Sequence, residues 1–208
     1  MKKSLATFAL LSTVIATSAA AKEMKHLNKT MDITEGQPIS ISVPVGSLKV
    51  QACDCNEIDI QIEVESANGG WNIFSSGGDV DSAELKIEQH NGKISFEVDE
   101  DDTKQRWLVT LPATSALSFD MGVGSVEIKD LNNDLDADVG VGSLAIDVSS
   151  DNYRHIELDS GVGDTTIRGF KGDVTNKRSV VSSSANYRGE GQYFIAADVG
   201  VGEASVSN

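Results

Sequence analysis

Residues 119–128 read FDMGVGSVEI, and the chain writes nearly the same line three more times: ADVGVGSLAI at 137–146, LDSGVGDTTI at 158–167 and ADVGVGEASV at 197–206. The repeated aspartates are Asp120, Asp138, Asp159 and Asp198, at intervals of 18, 21 and 39 residues. A period of roughly 20 residues with one or two short strands per unit is a solenoid signature. The longest interval reads as two units, with TNKRSVVSSSANYRG at 175–189 as a rung that has lost its glycines.

A coil must turn each corner above the corner before it, which explains why the same turn recurs. The glycines of G-V-G tolerate positive φ and close backbone approach, as a sharp corner requires. On this reading Val123, Val141, Val162 and Val201 point into the coil and stack as an apolar column. Val126, Ile128, Leu144, Ile146, Ile167 and Val206 stack likewise, a few positions on. Rungs would lie ~4.8 Å apart, with parallel strands satisfying each other's backbone groups.

The rest of the chain agrees. After the first 21 residues no sustained helical period appears. Two-residue alternation recurs in short β-branched runs such as ISISVPVGSLKV, IDIQIEVE, KISFEVD and RWLVTLP, punctuated by Gly, Asn, Asp and Ser. VPVGSLKV at 43–50 is a looser version of the same corner, with Pro44 and Val45 in its first part. The expected fold is all-β, a parallel β-helix or β-solenoid. A single domain over 22–208 divides into irregular rungs at 22–112 and regular G-V-G rungs at 113–208. A Gly- and Ser-rich excursion at 66–82 interrupts the first part. DEDD at 99–102 marks a solvated turn.

Residues 1–21 read as a secretory leader. Lys2 and Lys3 precede an apolar stretch from Leu5 to Ile15, and Ala19 and Ala21 form a small-residue cleavage site. No cysteine stands just after the apolar stretch, so no lipid anchor is expected. No later segment has the ~20 apolar residues of a membrane helix. The expected location is the periplasm or cell exterior of a bacterium. Removing Lys2 and Lys3 leaves 15 basic residues against 32 acidic ones, a net charge of −17. That balance argues against nucleic acid or anionic lipid as partners, since phosphate binding needs clustered Lys and Arg.

The VPVGSLKVQACDCNEIDIQIEVE segment, the LVTLPATSALSFDMGVGSVEI entry and the rungs that follow resemble the putative adhesin family of bacterial β-strand-repeat proteins. The resemblance covers roughly residues 35–207. It implies an exported or membrane-associated protein with a parallel β-helix-like domain, and it carries over no catalytic residues. The chain departs from it in the Cys53–Cys55 pair.

Three sets of residues are candidate sites. Asp120, Asp138, Asp159 and Asp198, with Asp164 and Glu203 just past the corner, have the chemistry for calcium between rungs. Capping of the turn by each Asp is the preferred reading. Trp71 and Phe74, inside the excursion, are candidate contacts for a protein or polysaccharide partner. Cys53 and Cys55 form either a local disulfide or free or metal-ligating thiols. Paired carboxylates of a carbohydrate-active enzyme are a weaker alternative, because the aspartates belong to the repeat itself. His26, His90 and His155 stand in unlike contexts. The functional expectation is a non-enzymatic adhesin or envelope-associated interaction protein. The alternative is a calcium- or polysaccharide-binding module. GEASVSN at 202–208 is expected to be an uncapped last rung, open to self-association through the coil end.

Overall fold

A computed structural model describes residues 24–67 and 78–208. Residues 1–21, expected to be a leader, and Trp71 and Phe74 lie outside the described residues. Twelve strands and one short 3-10 turn, Val80–Ser82, make up the described fold. The strands are β1 (Met24–Asp32), β2 (Ile39–Cys53), β3 (Glu57–Ser66), β4 (Leu85–His90), β5 (Lys93–Val98) and β6 (Thr103–Pro112). They continue with β7 (Leu117–Lys129), β8 (Leu135–Asp147), β9 (Tyr153–Arg168), β10 (Asp173–Arg178), β11 (Ser183–Arg188) and β12 (Tyr193–Ser207). The runs of two-residue alternation fall on strands.

Five long strands form a parallel ladder in the order β2, β7, β8, β12, β9. Each bends at its Gly-containing corner into two arms. In β7 the inward residues are Leu117, Phe119 and Met121 on the first arm, then Val126 and Ile128 on the second. Met121 and Val126 are an odd number of positions apart, so the inward face changes parity across the corner. The core is the slab between the arms. Leu135, Ala137, Val139, Leu144 and Ile146 repeat it in β8, and Ile195, Ala197, Val199, Ala204 and Val206 in β12. In β9 a buried serine, Ser160, takes the place of Met121, and its hydroxyl donates to the Gly202 carbonyl at 2.9 Å.

The parity change overturns the expected direction of the corner valines. Val123, Val141, Val162 and Val201 do stand in one column, continued by Val45, but they point outward and are 38 to 50% exposed. The residues that follow them, Val126, Ile128, Leu144, Ile146, Ile167 and Val206, are buried as expected. Trp107 is fully buried and donates its indole N–H to Gln105 Oε1 at 2.9 Å.

Close strand packing explains the two glycines. The second glycine of each corner has positive φ, +152° at Gly142. A Cβ there would lie 1.7 Å from the Gly124 carbonyl oxygen of the adjacent strand. The first glycine is also tight, since a Cβ on Gly140 would come within 2.6 Å of the Gly122 carbonyl oxygen. Pro44 fills that position in β2. It is tolerated there because β5 and β6 flank only the arms of β2, pairing with Ile39–Ser42 and Gly46–Cys53.

The stacking order departs from a coil that climbs in chain order. β12 lies between β8 and β9. The long interval between Asp159 and Asp198 therefore holds no degenerate rung. Residues 173–188 form an antiparallel hairpin, β10–β11, which extends the first arm of β9. The GEASVSN segment is flanked on both sides within the ladder and is no coil end. At the opposite end the arms separate. The first arm of β2 continues into β5 and β4, and the second into β6, β3 and β1.

Candidate functional site

The outward side of the first arms carries the repeated acids. Asp120, Asp138, Asp198 and Asp159 are direct cross-strand neighbours, with Ser42 continuing the row in β2 and Ser184 in β11. Alternation puts Phe119, Ala137, Leu158 and Ala197 inward, so the adjacent aspartates must face out. The row stands two residues before the first corner glycine, on extended strand. None of these four carboxylates accepts a hydrogen bond from a backbone N–H among the described residues, so the capping role finds no partner. A second outward row, two residues earlier, contains Ser40, Ser118, Asp136, Ala196, Glu157 and Asn186.

Like charges in register perturb one another. The Asp138 carboxyl is held above its ordinary value, first by partial burial and then by Asp120, Asp136 and Asp198. Asp159 is raised first by partial burial and then by Glu157 and Asp198. Asp164, just past the corner, is paired with Arg178 from β10. Among the described residues no group of three His, Cys, Asp or Glu side chains is arranged to hold a metal ion. His155 lies 3.6 Å from Glu157.

Beyond the acid row runs a row of exposed glycines, Gly122, Gly140, Gly200 and Gly161, then the valine column. The three rows run side by side across the strands: carboxylates, then bare backbone, then valines. The sequence reading found the carboxylates and misplaced the valines. The odd spacing from Met121 to Val126 was the available signal. Phe194 is a further exposed aromatic on the same side, with the Arg154 guanidinium 5.8 Å from its ring centre. Cys53 and Cys55 are joined in a disulfide at the end of β2, away from this face.

The model of the N-terminal domain of toast_rack, DUF2154, matches residues 17–168. The chain belongs to that family. The match takes in β1 to β9, and the β10–β11 hairpin and β12 lie beyond it. Among solved structures, a "putative cell adhesion protein" from Clostridium sporogenes ATCC 15579 aligns over 89% of this chain and 99% of its own, with a TM-score of 0.53 and 13% identity. A "putative adhesin" from Bacteroides fragilis NCTC 9343 aligns over 88% of this chain and 97% of its own, with a TM-score of 0.32 and 16% identity. No curated relative matches the chain. The resemblance to the putative adhesin family read from the sequence thus holds, and the Clostridium structure shows that the toast_rack chain shares its fold. Among the described residues no helix is long and apolar enough to cross a membrane.

Proposed function

We propose that this toast_rack chain is an exported, non-enzymatic contact protein of the bacterial envelope, of the adhesin kind. Its domain is a solenoid-like ladder that displays repeated side chains to a protein or polysaccharide partner. The observation that carries the reading is the in-register repetition of outward rows across four or five adjacent strands. Such a face is long and open, and it suits an extended partner better than a small substrate held in a cleft. The leader at 1–21 supports export, and the fold shared with a protein described as a cell adhesion protein supports the contact role.

Cell fractionation with N-terminal sequencing tests export, and binding of the purified protein to envelope fractions tests contact. The expected result is a mature chain beginning at Lys22 outside the cytoplasm, with saturable binding. A cytoplasmic chain with an intact leader, or no binding, refutes the reading. The alternative, a calcium- or polysaccharide-binding module, draws on the same aspartate row. It is tested by thermal unfolding in EDTA and in millimolar calcium. A calcium-dependent rise in Tm that Asp138→Asn abolishes would favour it.

A further inference from the structure

We infer that the exposed strip formed by the aspartate row, the glycines and the valine column is a docking site for an extended polypeptide segment that alternates cationic and apolar side chains. This rests on the reading of the chain as a contact protein and names the class of its partner.

The valine column is the first part of the argument. Val45, Val123, Val141, Val201 and Val162 are cross-strand neighbours over five strands, a ridge of about 19 Å at the usual strand spacing. At its far end the Gly163 N–H donates to the Val181 carbonyl at 2.9 Å, so the tip of the β10–β11 hairpin abuts the ridge. Val180 and Val181 at that tip are 95% and 57% exposed. Single exposed valines need no explanation, but a contiguous apolar ridge with a polar border is the form of an interaction surface.

Charge decides what covers it. Asp120, Asp138 and Asp198 run alongside the valines in the same strand register, so both rows repeat at the strand spacing. A second copy of this chain would bring two such acid rows together, on a protein that carries a net charge of −15 over its full sequence. Anionic surfaces are disfavoured for the same reason. The ridge itself carries no aromatic side chain for a sugar face to stack on. A segment with cationic side chains on one side and apolar ones on the other meets both rows. The glycine row between them has no side chains, so a backbone can lie close against it.

The test is fluorescence anisotropy of the purified full chain with labelled peptides of roughly six to eight residues, enough to span the ridge when extended. The probes alternate Lys with Leu, Lys with Ser, or Glu with Leu. Binding of the Lys/Leu peptide is expected to exceed that of either control at least about tenfold, or ~1.4 kcal/mol. Val123→Ser/Val141→Ser/Val201→Ser and Asp120→Asn/Asp138→Asn/Asp198→Asn should each weaken it by a similar factor. All six positions are exposed, and circular dichroism checks that both variants fold. Equal binding of the Lys/Leu and Lys/Ser peptides, or no effect of the valine substitutions, overturns the proposal and leaves simple charge attraction. A dimer in sedimentation that the valine substitutions dissolve also overturns it, by making a second copy the occupant. Because the assay needs neither export nor cells, its failure is distinguishable from failure of the contact-protein reading. Envelope binding could persist without peptide binding.

Discussion

Replacing Gly142 with alanine tests the packing of the ladder most directly. Two costs arise. The residue sits at φ +152°, where a side chain is strained by about 1–3 kcal/mol. Its new Cβ would also lie 1.7 Å from the Gly124 carbonyl oxygen. That contact is rigid backbone, so β7 and β8 must separate at the corner. Losing even one or two ladder hydrogen bonds there adds about 1 kcal/mol each. The expected total is about 2–5 kcal/mol, a fall in Tm of roughly 4–20 °C for a chain of this size. Gly36→Ala is the control. Gly36 has φ +72° with nothing within 4 Å of a Cβ, so only the backbone term applies. Its expected cost is about 1–2 kcal/mol. Thermal and urea unfolding of both variants measure the difference. Equal losses would refute the argument that the neighbouring carbonyl is what requires glycine.

Other outcomes are expected from the same geometry. Ile146→Ala should cost about 2–5 kcal/mol, whereas Val141→Ala should stay within about 0.5; urea titration of the pair tests the parity change at the corner. The raised carboxyls of Asp138 and Asp159 bind protons more tightly folded than unfolded. Their contribution is therefore fully present below the ordinary value of 3.8 and is lost as pH rises through the raised values. Tm measured across this range should show a small gain on acidification that Asp138→Asn diminishes, before loss of the lowered carboxyls Asp59 and Glu127 reverses it. Reduction of Cys53–Cys55, two residues apart, should cost no more than about 1.5 kcal/mol, because the closed loop is very small. Calorimetry with and without a reductant measures it.

The sequence carried the all-β class, most of the strands and the buried residues after each corner, because alternation and β-branching act locally. It carried the corners too, since glycine at a fixed place in successive units answers a backbone demand. The corner valines face outward, not into the core, because the bend breaks the alternation. A bend at consecutive Gly, Val and Gly does not keep the alternation of a straight strand. The odd interval from Met121 to Val126, both apolar, already required a change of parity. The place of β12 was not legible. Its neighbours are chosen by which strand it fits, and the four G-V-G lines are nearly interchangeable. The hairpin β10–β11 was hidden because Asp173–Arg178 is exposed along its whole length and shows no alternation. The candidate carboxylates were visible as a repeat, but their neighbours Asp136 and Glu157 emerge only from cross-strand register.

The position of β12 constrains how the protein can be made. A ladder assembled in chain order could grow as synthesis or secretion delivers each unit, every new strand closing on the one before. Here Ser207 and Asp147, side by side in the sheet, are 60 residues apart along the chain. Until that late strand arrives, β8 and β9 each wait with an unsatisfied edge. Such edges are adhesive in the wrong sense, toward other unfinished chains. Long-range closure also slows folding. A chain interrupted before Tyr193 would lack the strand that joins β8 to β9, and both of those edges would stay open.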